Sequence, residues 1–229
     1  MMSKPIQILL SALLNVSVVA QGHGAQPLKA EVINIGWNLD EVKPGMAAVL
    51  VEENGQFSVR KVKLIVKHVQ SENENDDSGF FVSVPLPKSC KAILGWRGIN
   101  QIKPSKRILN FQLPPLADQY NFNTQIMKFK AVPVEFVIER LSVDKQKVTI
   151  RSGSAQQEIF NSFPHYSGFW SAVWAGDLDG DGKLDLITQH EGFGEYVQAR
   201  VITLWLSSLA EADALLGVAG SKTVYVGGC

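Results

Sequence analysis

With 22 basic and 22 acidic side chains among its 229 residues, the chain has a formal net charge of zero and no overall field to draw it to nucleic acid or an anionic membrane. Hydrophobic residues make up 45% and charged residues 19%, which excludes global disorder and fibrous repeats. The length suits one large domain or two small, closely packed lobes.

The N-terminus differs from the rest. Lys4 supplies a positive charge, residues 6–20 are mostly apolar, and Val18-Val19-Ala20 places small or branched residues before a plausible cut. Residues 1–20 therefore read as a secretory signal peptide, predicting a periplasmic or secreted protein. An uncleaved anchor is the alternative. Interrupted by Gln7 and Asn15, the stretch falls short of the roughly twenty residues a span needs, so no transmembrane span is expected after signal removal. Two cysteines, Cys90 and Cys229, predict a disulfide in an exported chain; two free thiols, or a terminal cysteine joining two molecules, are the alternatives.

Residues 30–35 read as extended, and Pro44-Gly45 as a turn. The apolar run at 46–51 leads to Asn54-Gly55, a hairpin signal because both residues tolerate positive φ. Beyond it, Val62, Leu64 and Val66 alternate with Lys61, Lys63 and Lys67, so one strand face is packed and the other wet. Residues 71–79 contain four carboxylates and no apolar residue, and read as an exposed loop rather than a second cation site. A strand comes next at 80–84, ended by Pro85 and Pro87. Short extended pieces fill 91–115, and strands at 128–139 and 147–151 bracket a turn at Asp144-Lys145. Between residues 21 and 164 no 3.6-residue apolar pattern is sustained. The expected fold is mainly β: an antiparallel sandwich or barrel-like body over 21–164, with a calcium-loop hairpin region over 165–229 packed on it as one unit. One short helix is expected over 208–216, capped by Ser207 or Ser208, before a closing strand at 222–226.

The most informative stretch is Asp177-Leu178-Asp179-Gly180-Asp181-Gly182-Lys183-Leu184-Asp185. Calcium takes six to eight oxygens in flexible geometry, and a loop meets that demand with carboxylates at alternate positions and backbone carbonyls between them. Asp177, Asp179, Asp181 and Asp185 fit as carboxylate ligands, with the Lys183 carbonyl as the backbone ligand. Gly180 and Gly182 allow the sharp turns. The opening also fits an EF-hand loop, but the twelfth position, where a bidentate Glu is required, is Thr188, and Leu184, Leu186 and Ile187 around Asp185 read as a strand. The nucleophile motif of a HAD-like phosphatase is another reading of Asp177-Leu178-Asp179-Gly180. It wants Thr or Val where Asp181 stands and a parallel α/β domain that too few residues remain to build.

The segment resembles the calcium loops of FG-GAP or VCBS repeats, the blade hairpins of integrin-type propellers. Residues 171–175 enter, 177–185 loop, 186–188 leave and 196–206 form the next strand. The resemblance implies that the four aspartates hold a structural Ca²⁺. Ile187-Thr188-Gln189 stands where that family often has Gly-Ala-Pro, and one copy occurs where a propeller needs several, so the likeness implies an ion site and not a propeller. More loosely, Ala175-Gly176-Asp177 and the terminal Gly228-Cys229 resemble exported bacterial proteins of unassigned activity that carry a single such loop.

Around the loop lie His165, Tyr166, Phe169, Trp170 and Trp174, then His190, Glu191, Phe193, Glu195 and Tyr196. The bland reading puts Trp170 and Trp174 together on one packed strand face and the His and Glu side chains on a loop. Two functional readings compete with it. His190 and Glu191 could act as a general base beside the ion in a metal-assisted hydrolase, or Trp170 and Tyr196 could stack on sugar rings in a carbohydrate-binding or adhesion module. No Ser-His-Asp signature, phosphate-cradling glycine loop or zinc-type spacing is present. The leading expectation is a calcium-stabilised binding or envelope-associated module, its ligand open and carbohydrate or an envelope component among the candidates.

Overall fold

The computed structural model describes residues 30–38, 40–70, 78–113, 124–142, 145–162, 167–193 and 198–227. The predicted signal peptide, the 71–77 part of the acidic loop, Asp144, His165, Tyr166, Glu195, Tyr196 and Cys229 lie outside these residues, and with Cys229 the expected disulfide. No helix among the described residues is long and apolar enough to cross a membrane.

Among the described residues, fifteen strands succeed one another in chain order. The first seven are β1 (Glu31–Ile33), β2 (Gly36–Asn38), β3 (Gly45–Glu53), β4 (Gln56–Val69), β5 (Gly79–Ser83), β6 (Cys90–Arg97) and β7 (Ser105–Asn110). Then come β8 (Gln125–Lys128), β9 (Glu135–Ser142), β10 (Lys145–Ser152) and β11 (Ala155–Asn161). The last four are β12 (Ser167–Asp177), β13 (Asp185–Phe193), β14 (Gln198–Leu206) and β15 (Gly217–Gly227). One sheet runs β1-β6-β3-β4-β7-β12-β13-β14-β15, with β5 and then β2 branching from β4. Its ends meet where Gly220 of β15 sits against Val32 and Ala30, so the sheet curls into a nearly closed barrel. A second sheet, β11-β10-β9-β8, packs on the outside. The fold is mainly β and antiparallel, as the turn spacing predicts.

The hairpin β3–β4 forms at the predicted pair: Glu53 faces Gln56, with Asn54 at φ 52° and Gly55 at φ 76°. The lysine face of β4 is wet as expected, with Lys61, Lys63 and Lys67 exposed and Leu64 buried.

Several strands are buried on both faces. Leu50, Val59, Leu94, Trp96, Trp174, Leu178, Ile187 and Leu204 fill the barrel. Outside β3, β4 and β6, Val49, Val51 and Leu64 are covered by Val42 and by Val82 of the β5 branch. Outside β12, β13 and β14, Trp170, Leu186 and Trp205 meet Phe136, Val148 and Ile150 of the second sheet. Double coverage explains why 46–51 reads as an unbroken apolar run where a one-sided strand would alternate. Each fully buried aliphatic or aromatic side chain contributes about 1.5–3 kcal/mol.

Two expectations are corrected. Trp170 and Trp174 do not share a face. The ladder with β13 shifts register between Ala172 and Trp174, so Val173 is an extra residue, and the bulge turns Trp174 into the barrel while Trp170 faces the second sheet. The helix expected over 208–216 is a single 3-10 turn, Ser207–Leu209. The backbone beyond it is held from outside, because Gln157 accepts from the N–H of Leu215 and Leu216 and donates to the Leu216 carbonyl. Those groups are satisfied without a helix.

Candidate metal centre

The aspartate loop joins β12 to β13, with Asp177 the last residue of one strand and Asp185 the first of the other. Its winding is dictated by its own residues. Asp177 accepts from the N–H of Gly180 (2.8 Å) and of Gly182 (3.0 Å). Asp179 accepts from Asp181 N–H (3.3 Å), and Asp181 from Lys183 N–H (2.8 Å). Short acidic side chains thus fold the chain back on itself every two or three residues. Gly180 at φ 86° and Gly182 at φ 81° occupy the left-handed region where a Cβ would be strained.

Asp185 anchors the loop from below and is fully buried, at 0% exposure. Its Oδ2 accepts from Leu178 N–H (2.6 Å) and Asp179 N–H (3.3 Å), and its Oδ1 from Ser207 N–H (2.8 Å). Ser207 Oγ lies 3.0 Å from that same oxygen and 2.9 Å from Asp181 Oδ2, while Ser208 Oγ donates to Asp179 Oδ2. Burial pushes the Asp185 carboxyl up to about 7, and the nearby Asp179 charge adds to the rise against the hydrogen bonds from Ser207 and Leu178.

Three of the aspartates form a group that could hold a cation. Asp177, Asp179 and Asp185 each present a carboxylate oxygen, all within 4.8 Å of one another. Oxygens on opposite sides of a calcium ion bound at roughly 2.3–2.6 Å would stand about 4.6–5.2 Å apart, so the cluster has the span of one coordination sphere. Among the described residues no ion pair reaches any of the loop's aspartates. Each pair of such charges repels by roughly 3 kcal/mol at an effective dielectric constant near 20. A hard divalent cation removes that penalty, and the all-oxygen donor set suits it. Asp181 stands outside the triad, and the ligand expected from Lys183 is its backbone carbonyl. The Asp181 carboxylate is engaged by Lys183 N–H and Ser207, and the Lys183 side chain is exposed.

His190, Glu191 and Trp170 are engaged elsewhere. His190 lies five residues along β13 from Asp185, roughly 16 Å at strand rise. It packs on Phe160 with ring centroids 5.0 Å apart, and burial pulls its pKa down. Glu191 is held by Arg200 at 2.6 Å. Trp170 is 5% exposed and meets Phe136 edge to face, so no sugar can stack on it. Sequence reasoning missed Ser207 and Ser208 as loop partners and took them for helix caps. A pair of hydroxyls just past an apolar strand is the only local signal they offer. Comparison of the chain with protein-family models, with curated proteins and with solved structures gave no match.

Proposed function

We propose that this is an exported binding or envelope-associated module whose C-terminal hairpin is pinned by one structural calcium ion. The observation that carries the reading is Asp185, a fully buried carboxylate without a basic partner among the described residues, with oxygens of Asp177 and Asp179 within 4.8 Å of its own. Calcium is favoured over magnesium because it accepts carboxylate oxygens in varied geometry, whereas magnesium demands a near-ideal octahedron. The role is structural. No general base lies beside the triad among the described residues, and the aspartate oxygens are already engaged by backbone N–H groups and serine hydroxyls that shape the loop. The likeness to FG-GAP or VCBS loops supports the same role, and the apolar stretch at 6–20 supports export to the periplasm or beyond.

Thermal denaturation tests the proposal. Calcium at a hundred times its dissociation constant should stabilise the fold by about 2.7 kcal/mol relative to chelator-treated protein. Asp179→Ala should abolish the difference. Equal melting of wild-type protein with calcium and after chelation would remove the metal from the account.

A further inference from the structure

Beside the metal loop, the barrel mouth opens into a cavity of about 460 Å³. Its lining is set by strand alternation. Leu50 of β3 points into the barrel, so Glu52 shares that face; on β6 Lys91 shares the face of Ile93, and on β7 Asn110 that of Ile108. Phe57 and Trp174, ring centroids 6.1 Å apart, make the aromatic wall, and Gln112 completes the polar rim.

Two features distinguish this mouth from an ordinary barrel end. Glu52 and Lys91 are direct cross-strand partners, yet neither forms an ion pair among the described residues. The volume also falls in the range of small-molecule pockets, roughly 300–1,000 Å³.

We propose that this cavity binds a free α-amino acid with an apolar or aromatic side chain. Side chains facing each other on adjacent antiparallel strands start roughly 5 Å apart. One carboxylate and one ammonium at that spacing match the ammonium and carboxylate of an α-amino acid, which a single carbon separates. The Phe57–Trp174 wall takes the side chain, and Asn110 and Gln112 offer amides to the remaining polar edge. A neutral saccharide has no use for two opposed charges, and a simple anion is repelled by Glu52. The proposal does not depend on the metal reading, since none of these residues belongs to the aspartate triad.

Isothermal titration of the whole protein at pH 7 tests it, with L-phenylalanine, L-leucine, N-acetyl-L-phenylalanine amide and maltose as probes. One or both amino acids should bind, and the neutral amide at least tenfold more weakly. Glu52→Gln and Lys91→Met should each weaken the amino acid at least tenfold while circular dichroism and melting stay as in the wild type. Equal binding of the amide, binding of maltose in place of the amino acids, or no binding of either amino acid up to millimolar concentration overturns the proposal. Running the titration with calcium and after its removal separates this result from the fate of the metal site.

Discussion

Ser207 reaches back across 22 residues to donate its backbone N–H to Asp185 Oδ1 at 2.8 Å. The contact joins the end of β14 to the start of β13 and places the serine hydroxyl over the aspartate loop, within 2.9 Å of Asp181 Oδ2. Ser207 and its neighbour Ser208 are therefore part of what winds the loop, since one or the other touches Asp179, Asp181 and Asp185.

Ser207→Ala should cost roughly 1.5–3 kcal/mol of stability, the range for a hydrogen bond to a charged group. The backbone donor survives the change, so the loss isolates the hydroxyl. Ser208→Ala should cost less, because Ser208 is exposed. Urea denaturation of both variants checks the order; a larger loss from Ser208→Ala would contradict it.

The stability of the calcium-free protein should fall as pH rises from about 4 to about 7. The folded Asp185 carboxyl titrates near 7 against 3.8 for the ordinary value. Between those values the folded state holds a proton that the unfolded state has released, so raising the pH favours unfolding. Over the whole window the effect is on the order of a few kcal/mol. A divalent cation competes with that proton, so calcium affinity should climb over the same range and binding should release protons. Melting curves of dialysed, metal-free protein from pH 4.5 to 8 give the first slope, and titration in two buffers of different ionisation enthalpy gives the proton count. A metal-free protein that gains stability toward pH 7 would reverse the sign and exclude this role for Asp185.

Gly176→Ala should destabilise by several kcal/mol. A Cβ there would overlap the Leu109 carbonyl oxygen and the Trp174 ring, both held by the barrel. Gly176 pairs with Asn110 and Asp185, so the strain would fall on the two ladders that flank the metal loop. Gly55→Ala, with open space around its Cβ position, should cost only about 1 kcal/mol through its positive φ. Parallel melting of the two variants checks the contrast.

What the sequence revealed and what it hid divide by distance along the chain. The Asn54-Gly55 hairpin and the lysine face of β4 are written in neighbouring residues, and so is the winding of the aspartate loop, where Asp177 reaches no farther than Gly182. The partners of that loop are not. Ser207 lies 26 residues from Asp181, and nothing in its own neighbours distinguishes it from a helix cap. The pairing of β7 with β4 on one side and β12 on the other is equally remote, and it makes one barrel from segments that read as a body and an appended hairpin. The turn at Ser207–Leu209 is a local preference overruled from outside, since Gln157 takes the backbone groups a helix would have used.

The bulge at Val173 gives the sharpest test of how β12 serves two cores. Trp170 packs against the second sheet and Trp174 fills the barrel, four residues apart on one strand. Regular alternation would send both to the same side. Deleting Val173 leaves the two tryptophans three positions apart, so regular alternation keeps them on opposite faces and the pairs Ala172–Thr188 and Trp174–Ile187 become consecutive rungs of an unbroken ladder. Asp177 then keeps its ladder position opposite Leu109, so the deletion should retain the calcium response and lose only the local bend and contacts of the bulge. Val173→Ala keeps the extra residue and removes only a side chain that is 38% exposed, and should cost less than about 1 kcal/mol. Melting of both variants with and without calcium reads out the two effects separately. A deletion variant that loses its calcium response would mean that the ladder beyond the bulge does not keep its register when the extra residue is removed.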